Sequence, residues 1–190
     1  MRVIGGRFRS RRLKSIPGLG VRPTPDRLRE ALFNVLAPRI EGTRFLDAYA
    51  GTGAVGIEAL SRGAKHVTLI ESHRQALEAI RENVTALQIG KDEITVVRGS
   101  AAVLLGNYPA DIAFVDPPYD QEKQYGESLV ALSNARCPLV IAQHASRLAL
   151  EDRYGELVKA RVLRQGDNSL SFYELEDVET RHSRLESPLH

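Results

Sequence analysis

Hydrophobic positions recur along this chain with two periods, and the switches between them outline a fold. Leu28, Ala31, Leu32, Val35 and Leu36 fall on one helical face just after Arg22-Pro23-Thr24-Pro25. The prolines end extended structure, so a helix is expected with Thr24 as N-cap and Pro25 at its first position. From Arg44 the pattern alternates: a strand over residues 45–49, a helix over 55–62 closed by Gly63, and a strand over 66–70. Ser72 and Gln75 form a Ser-x-x-Gln capping box ahead of Leu77, Ile80, Val84 and Leu87 at helical spacing. Strands over 94–97 and 112–115, a helix over 122–132 and a strand over 139–142 follow. Short, nearly continuous apolar strands alternating with helices predict a parallel sheet covered on both faces.

The period changes near the end. Val158, Ala160 and Val162 alternate with Lys159 and Arg161, and Gly166-Asp167-Asn168 separates them from a second strand over 170–175. An antiparallel hairpin is expected to finish the sheet. The whole reads as an α/β fold with a mostly parallel seven-stranded sheet. Residues 40–176 form the body, and 177–190 carry no periodicity and are expected to be a frayed tail.

Composition narrows the class. The chain has 190 residues, 43% hydrophobic and 26% charged, enough to bury one core. No apolar run approaches the roughly 18 residues of a spanning helix, and the opening Met1 to Arg7 lacks the apolar core of a secretory signal. The single cysteine, Cys137, has no disulfide partner, which fits a reducing cytoplasm.

The formal net charge of +2 hides an asymmetry. Residues 1–39 hold ten bases (Arg2, Arg7, Arg9, Arg11, Arg12, Lys14, Arg22, Arg27, Arg29, Arg39) against Asp26 and Glu30, a local net of +8, which leaves −6 for the rest. A basic arm on a mildly acidic body suits a polyanion held at one end. Gly5, Gly6, Gly18 and Gly20 give such an arm pliability, and Phe8 among arginines reads as a base-stacking side chain.

Two motifs carry chemistry. The first strand ends at Asp47 and runs into Gly51, Gly53 and Gly56, a literal G-x-G-x-x-G at the start of a helix. Glu71 ends the next strand 20 residues after Gly51, where a carboxylate accepts hydrogen bonds from a ribose diol. Asp47 beside the glycines repels a pyrophosphate and attracts a cation, which favours S-adenosylmethionine over a dinucleotide. Further on, the strand over 112–115 runs into Asp116-Pro117-Pro118-Tyr119. Adjacent prolines leave carbonyls that only accept hydrogen bonds, Asp116 adds acceptors, and Tyr119 adds a flat face: a pocket for a planar amine.

With these residues in place, the sequence resembles the class I S-adenosylmethionine-dependent methyltransferases that act on exocyclic amino groups, whose signature is Asp/Asn-Pro-Pro-Tyr/Phe. More narrowly it resembles the RsmD family, bacterial methyltransferases of a guanine N2 amine in 16S ribosomal RNA. The resemblance also rests on residues 2–9 and on Arg22-Pro23-Thr24, Asp26-Arg27 and Arg29-Glu30-Ala31-Leu32-Phe33-Asn34. It implies that Asp47, Gly51 and Gly53 contact the methionine part of the cofactor, Glu71 the ribose, and Ser100 and Ala101 the adenine. Asp116 to Tyr119 would hold the guanine amine, and Arg22, Thr24 and Arg27 would lie over the cofactor or at the RNA entrance. Arg2, Arg7, Arg9, Arg11, Arg12 and Lys14 would meet phosphates of 16S rRNA or the assembling small subunit, with the protein a monomer. Tyr49, Thr52 and Ser100 stand where the family usually has Phe, Ser and an acid.

Other residues carry less. His66, His73, His144, His182 and His190 show no metal-ligand spacing, so no metal is expected, and His144 reads as a satisfied structural histidine. Cys137 reads as a packed side chain. The competing readings are a DNA adenine-N6 methyltransferase, an NAD-binding oxidoreductase using the glycine loop, and a non-catalytic RNA-binding assembly module.

Overall fold

The computed structural model describes residues 1–16, 24–118 and 121–176. Arg22, Tyr119 and the segment 177–190 lie outside the described residues. One eight-stranded sheet runs through the molecule in the order β3-β2-β1-β4-β5-β8-β7-β6. Its strands are β1 (Arg44–Asp47), β2 (His66–Glu71), β3 (Ile94–Arg98), β4 (Ile112–Val115), β5 (Leu139–Ala145), β6 (Arg153–Tyr154), β7 (Leu157–Gln165) and β8 (Asn168–Leu175). The first five are parallel, and β8 joins antiparallel to β5. The two-residue β6 is the strand that the hydrophobic pattern does not show.

Alternate strand residues feed two cores, as the pleat requires. Phe45, Val67, Leu69, Ile112, Phe114 and Ile141 point to one face, beneath α1 (Asp26–Leu36), α2 (Ala54–Ser61) and α3 (Arg74–Ala86). Leu46, Ile70, Ala113, Val115 and Val140 point to the other, beneath α4 (Ala101–Leu104) and α5 (Lys123–Asn134). The order in which strands are added reverses between the parallel neighbours β1 and β4, so the crevice at their carboxyl ends is where such sheets take ligands.

Two caps differ from expectation. Thr24 does not cap α1: the helix starts at Asp26 with Pro25 as its cap residue, and Thr24 is instead buried. The Ser72 capping box also fails. Helix α3 starts at Arg74, and the Glu71 carboxylate accepts the N–H groups of Ser72 and His73 at 2.8 and 2.7 Å, which satisfies that approach to the helix from the strand end instead.

The largest correction concerns the N-terminal segment. It is not a pliable arm but a small hairpin docked on the body. Val3 N–H donates to the Arg11 carbonyl at 3.0 Å, Ser10 N–H to Val3 at 2.9 Å and Leu13 N–H to Met1 at 3.0 Å. Val3, Phe8 and Leu13 join the core beneath α1 and α2. Phe8 is 8% exposed, so it packs inside the protein and is not a free stacking face. Gly6 has φ +72°, and a Cβ there would lie 1.8 Å from the Ser61 carbonyl oxygen, so glycine here serves close approach to α2.

Buried charge fastens this hairpin. Glu58 is fully buried on α2 and accepts the N–H groups of Ile4 and Gly5, both at 2.8 Å, and Arg62 Nε at 2.7 Å. Arg29 is equally buried, and its Nη2 donates to the Arg2 carbonyl at 2.6 Å.

Candidate functional site

An open cleft of about 700 Å³ lies at the β1/β4 switch, its lining including Met1, Ser15, Ile16, Thr24, Asp47, Tyr49, Gly51, Thr52, Phe114 and Asp116. The adjacency of the two acids follows from the sheet. Asp47, the last residue of β1, pairs with Phe114 on β4, and Ala48 N–H donates to the Phe114 carbonyl at 2.9 Å. Asp116 stands two residues beyond Phe114, so both carboxyls open into one pocket.

Both groups are held well above the usual carboxylate range. Burial pushes Asp47 up to about 7, against the opposing pull of its bond from Gly56 N–H at 3.1 Å. Burial pushes Asp116 up to about 8, and the neighbouring charge of Asp47 adds to the shift. A cationic ligand in this cleft would pull both back down, because a nearby opposite charge favours the ionised carboxylate.

The glycine loop is tightly organised. Gly51 and Gly53 have φ of +55° and +79°, a backbone that only glycine adopts readily. Gly51 N–H donates to Glu71 Oε2 at 2.7 Å, and Gly53 N–H to the Ala50 carbonyl at 2.7 Å. With Gly56 N–H on Asp47, three loop N–H groups are taken by the protein itself. A pyrophosphate would need those donors, so the loop suits a phosphate-free, positively charged ligand such as S-adenosylmethionine. Gly56 does not line the cleft. A Cβ there would meet Leu69 Cδ2 at 2.3 Å and Val67 Cγ1 at 2.8 Å, so this glycine lets α2 lie on β2.

The expected site residues divide in space. Asp47, Gly51, Thr24 and Asp116 line the cleft. Gly53 shapes the turn, and Glu71 stands at the edge with its carboxylate fixed by Gly51, Ser72 and His73 N–H groups. Pro117 is buried and Pro118 exposed beyond Asp116. Ser100 and Ala101 are not brought to the cleft: Ser100 is exposed past the end of β3, and Ala101 packs in the core beside α5.

The basic residues divide as well. Arg7 pairs with Glu93 at 2.6 Å, Arg11 donates to the Ala86 carbonyl at 2.9 Å, and Lys14 pairs with Glu82. Arg2, Arg9, Arg12 and Arg27 are exposed.

Sequence reasoning missed the wall made by Met1, Ser15 and Ile16, because charge alone gave that segment to RNA. It also missed Tyr49, whose hydroxyl lies 2.8 Å from Ser128 Oγ on α5 and so ties the glycine loop to the helix that follows Asp116. His144 is satisfied by the Ala145 carbonyl at 2.9 Å and Ser171 Oγ at 2.8 Å, as its sequence position implied. Cys137 is buried and its thiol is pushed up to about 12, a packed side chain without reactivity. Among the described residues no helix is long and apolar enough to cross a membrane.

Comparison with known proteins agrees with this architecture. A Bacillus subtilis protein named "Putative rRNA methyltransferase YlbH" is 31% identical over 91% of this chain and 98% of its own length. Ribosomal RNA small subunit methyltransferase D of Escherichia coli is 42% identical over 63% of this chain, a match spanning 60% of that relative. A solved Escherichia coli structure named "Putative methyltransferase yhhF" superposes with a TM-score of 0.81 at 35% identity, over 93% of this chain and 98% of its own. The sheet and helices are thus those of the class I methyltransferase fold. The family model described as "Conserved hypothetical protein 95" matches residues 1–174, and the chain belongs to that family, the RsmD family.

Proposed function

We propose that this protein transfers the methyl group of S-adenosylmethionine to the exocyclic N2 amine of a guanine in small-subunit ribosomal RNA. The observation that carries the reading is Asp116, at the head of Asp-Pro-Pro, opening into the same cleft as Asp47 and the glycine loop. The name of the Escherichia coli relative supports the RNA class of the substrate.

The bound cofactor supplies an electrophilic methyl group. Asp47 and the loop at Gly51 and Gly53 hold its cationic end, and Glu71, fixed by three N–H groups, keeps acceptor capacity for a ribose hydroxyl. Asp116 and the Pro117 carbonyl accept the two amine hydrogens, and Tyr119, by its place in the Asp-Pro-Pro-Tyr motif, would stack on the base. This turns the nitrogen lone pair toward the methyl carbon, so positioning supplies much of the rate. As the N–C bond forms and the methyl–sulfur bond breaks to leave S-adenosylhomocysteine, the nitrogen would shed one proton, which Asp116 would take and pass to solvent.

Tritiated methyl transfer to small subunits from a strain lacking the enzyme tests the proposal. Wild-type protein should label one guanine, and Asp116→Ala should reduce labelling by at least about a hundredfold, the low end of what a proton-transfer group contributes. Undiminished labelling by Asp116→Ala would overturn its role. Labelling of duplex DNA in place of RNA would transfer the reading to adenine N6.

A further inference from the structure

A second open groove, also of about 700 Å³, adjoins the cleft, and Arg2, Arg9, Ser10, Asp26, Arg27 and Glu30 are among its lining. The two cavities share their walls. Met1 lines the cleft and Arg2 the groove; Thr24 lines the cleft and Asp26 and Arg27 the groove. Met1 and Arg2 are consecutive and only Pro25 stands between Thr24 and Asp26, so with successive Cα atoms about 3.8 Å apart the two linings are one or two residue steps apart on either wall.

The groove is also held in shape from beneath. Arg29 Nη2 donates both to the Arg2 carbonyl at 2.6 Å and to Asp26 Oδ1 at 3.0 Å, so one buried guanidinium ties the hairpin wall to the α1 wall. Three other bases of the hairpin are turned to different work: Arg7 and Lys14 meet Glu93 and Glu82, and Arg11 meets the Ala86 carbonyl, while Arg12 is exposed outside the groove lining. Arg2, Arg9 and Arg27 instead face the groove, beside a pocket shaped for a base. Glu30 and Ser10 add acceptors, which a bare phosphate does not need and a base edge does.

We infer that this groove seats a nucleotide of the substrate RNA adjacent to the target base, with Arg2, Arg9 and Arg27 on its phosphates and Glu30 and Ser10 at its polar edge. This rests on the RNA methyltransferase reading above. A strand entering the Asp116 pocket then continues over the shared wall, so the groove sets its direction and reads part of its context.

Binding of unmodified small-subunit rRNA to the full chain, titrated with salt, tests the assignment. Arg9→Ala and Arg27→Ala should each weaken RNA binding about fivefold near 0.15 M salt, and each should lower the salt slope by about 0.7, the value per phosphate for single strands. Arg7→Ala and Lys14→Ala remove the same charge from the hairpin and should change affinity less than about twofold, the salt slope staying near wild type because neither loses a phosphate. S-adenosylhomocysteine affinity should be unchanged in the groove variants, since Arg9 and Arg27 line the groove and not the cleft, which leaves Arg27 at the RNA entrance and not over the cofactor. Equal losses in groove and control variants would overturn the groove, as would equal weakening toward heparin, a polyanion without bases. If wild-type protein methylates rRNA while the groove variants bind normally, only the groove fails. If wild-type protein neither binds nor methylates rRNA, the functional reading fails with it.

Discussion

The side-chain amide of Asn83 donates to the Thr52 carbonyl in the glycine loop at 3.0 Å, while its oxygen accepts the Lys14 N–H at 2.7 Å. One buried amide on α3 thus joins the glycine loop to the end of the N-terminal hairpin. Asn83→Ala leaves both backbone partners without it and should cost about 1–3 kcal/mol, the penalty of an unpaired buried polar group. Urea unfolding measures the loss, and calorimetry should show weaker S-adenosylhomocysteine binding. Lost stability with unchanged affinity would mean that the loop holds its shape without Asn83.

Glu58 should matter more. Its carboxylate holds Ile4, Gly5 and Arg62, with the Arg29 Nε 3.9 Å away. Removing one partner of a buried charge cluster costs about 3–5 kcal/mol, so Glu58→Ala should undock the hairpin. Hydrogen exchange at Val3, Ser10 and Leu13 should accelerate before the rest of the protein opens.

Gly56→Ala should destabilise the protein by about 1–3 kcal/mol through overpacking against Leu69 and Val67. Its cofactor affinity should change only as far as α2 shifts. A loss of affinity with full stability would mean that Gly56 contacts the ligand and does not serve packing alone.

The two carboxyls of the cleft predict a pH dependence. In the unfolded chain both ionise near pH 4. Folded, they titrate at about 7 and 8, so between pH 4 and 8 the native state keeps protons that the unfolded chain has shed. This contribution to stability is complete below pH 4 and is lost as pH rises through the folded values. Ligand-free protein should therefore lose stability from pH 5 to 8.5, and Asp116→Asn should flatten that decline. Affinity for S-adenosylhomocysteine, which carries an ammonium, should rise over pH 6–8 and then level off as Asp47 ionises. Affinity that falls over that range would contradict Asp47 as the cation's partner.

Much of this was legible in the residues. Strand–helix alternation gave the parallel sheet and its hairpin end, since Phe45, Val67 and Phe114 feed one face and Leu46, Ile70 and Val115 the other whatever surrounds them. Asp47 and Asp116 were legible because each ends an apolar strand. What stayed hidden depends on contacts distant in sequence. Phe8 is core only because α2 presents Ser61 and Gly5–Gly6 fit closely against it. Arg29 counts as one more base in a run until Glu58, 29 residues later, is seen buried beside it. Ser72 has the spacing of a cap, yet Glu71 at the strand end takes the N–H groups of Ser72 and His73, and the helix begins only at Arg74.

The measurement that tests the central claim most directly is mass-spectrometric analysis of small-subunit rRNA from a deletion strain, after incubation with S-adenosylmethionine and either wild-type protein or Asp116→Asn. The wild-type reaction should yield N2-methylguanosine at one position, and the variant little or none. Methylation of another base, or full N2-methylguanosine formation by Asp116→Asn, would contradict it.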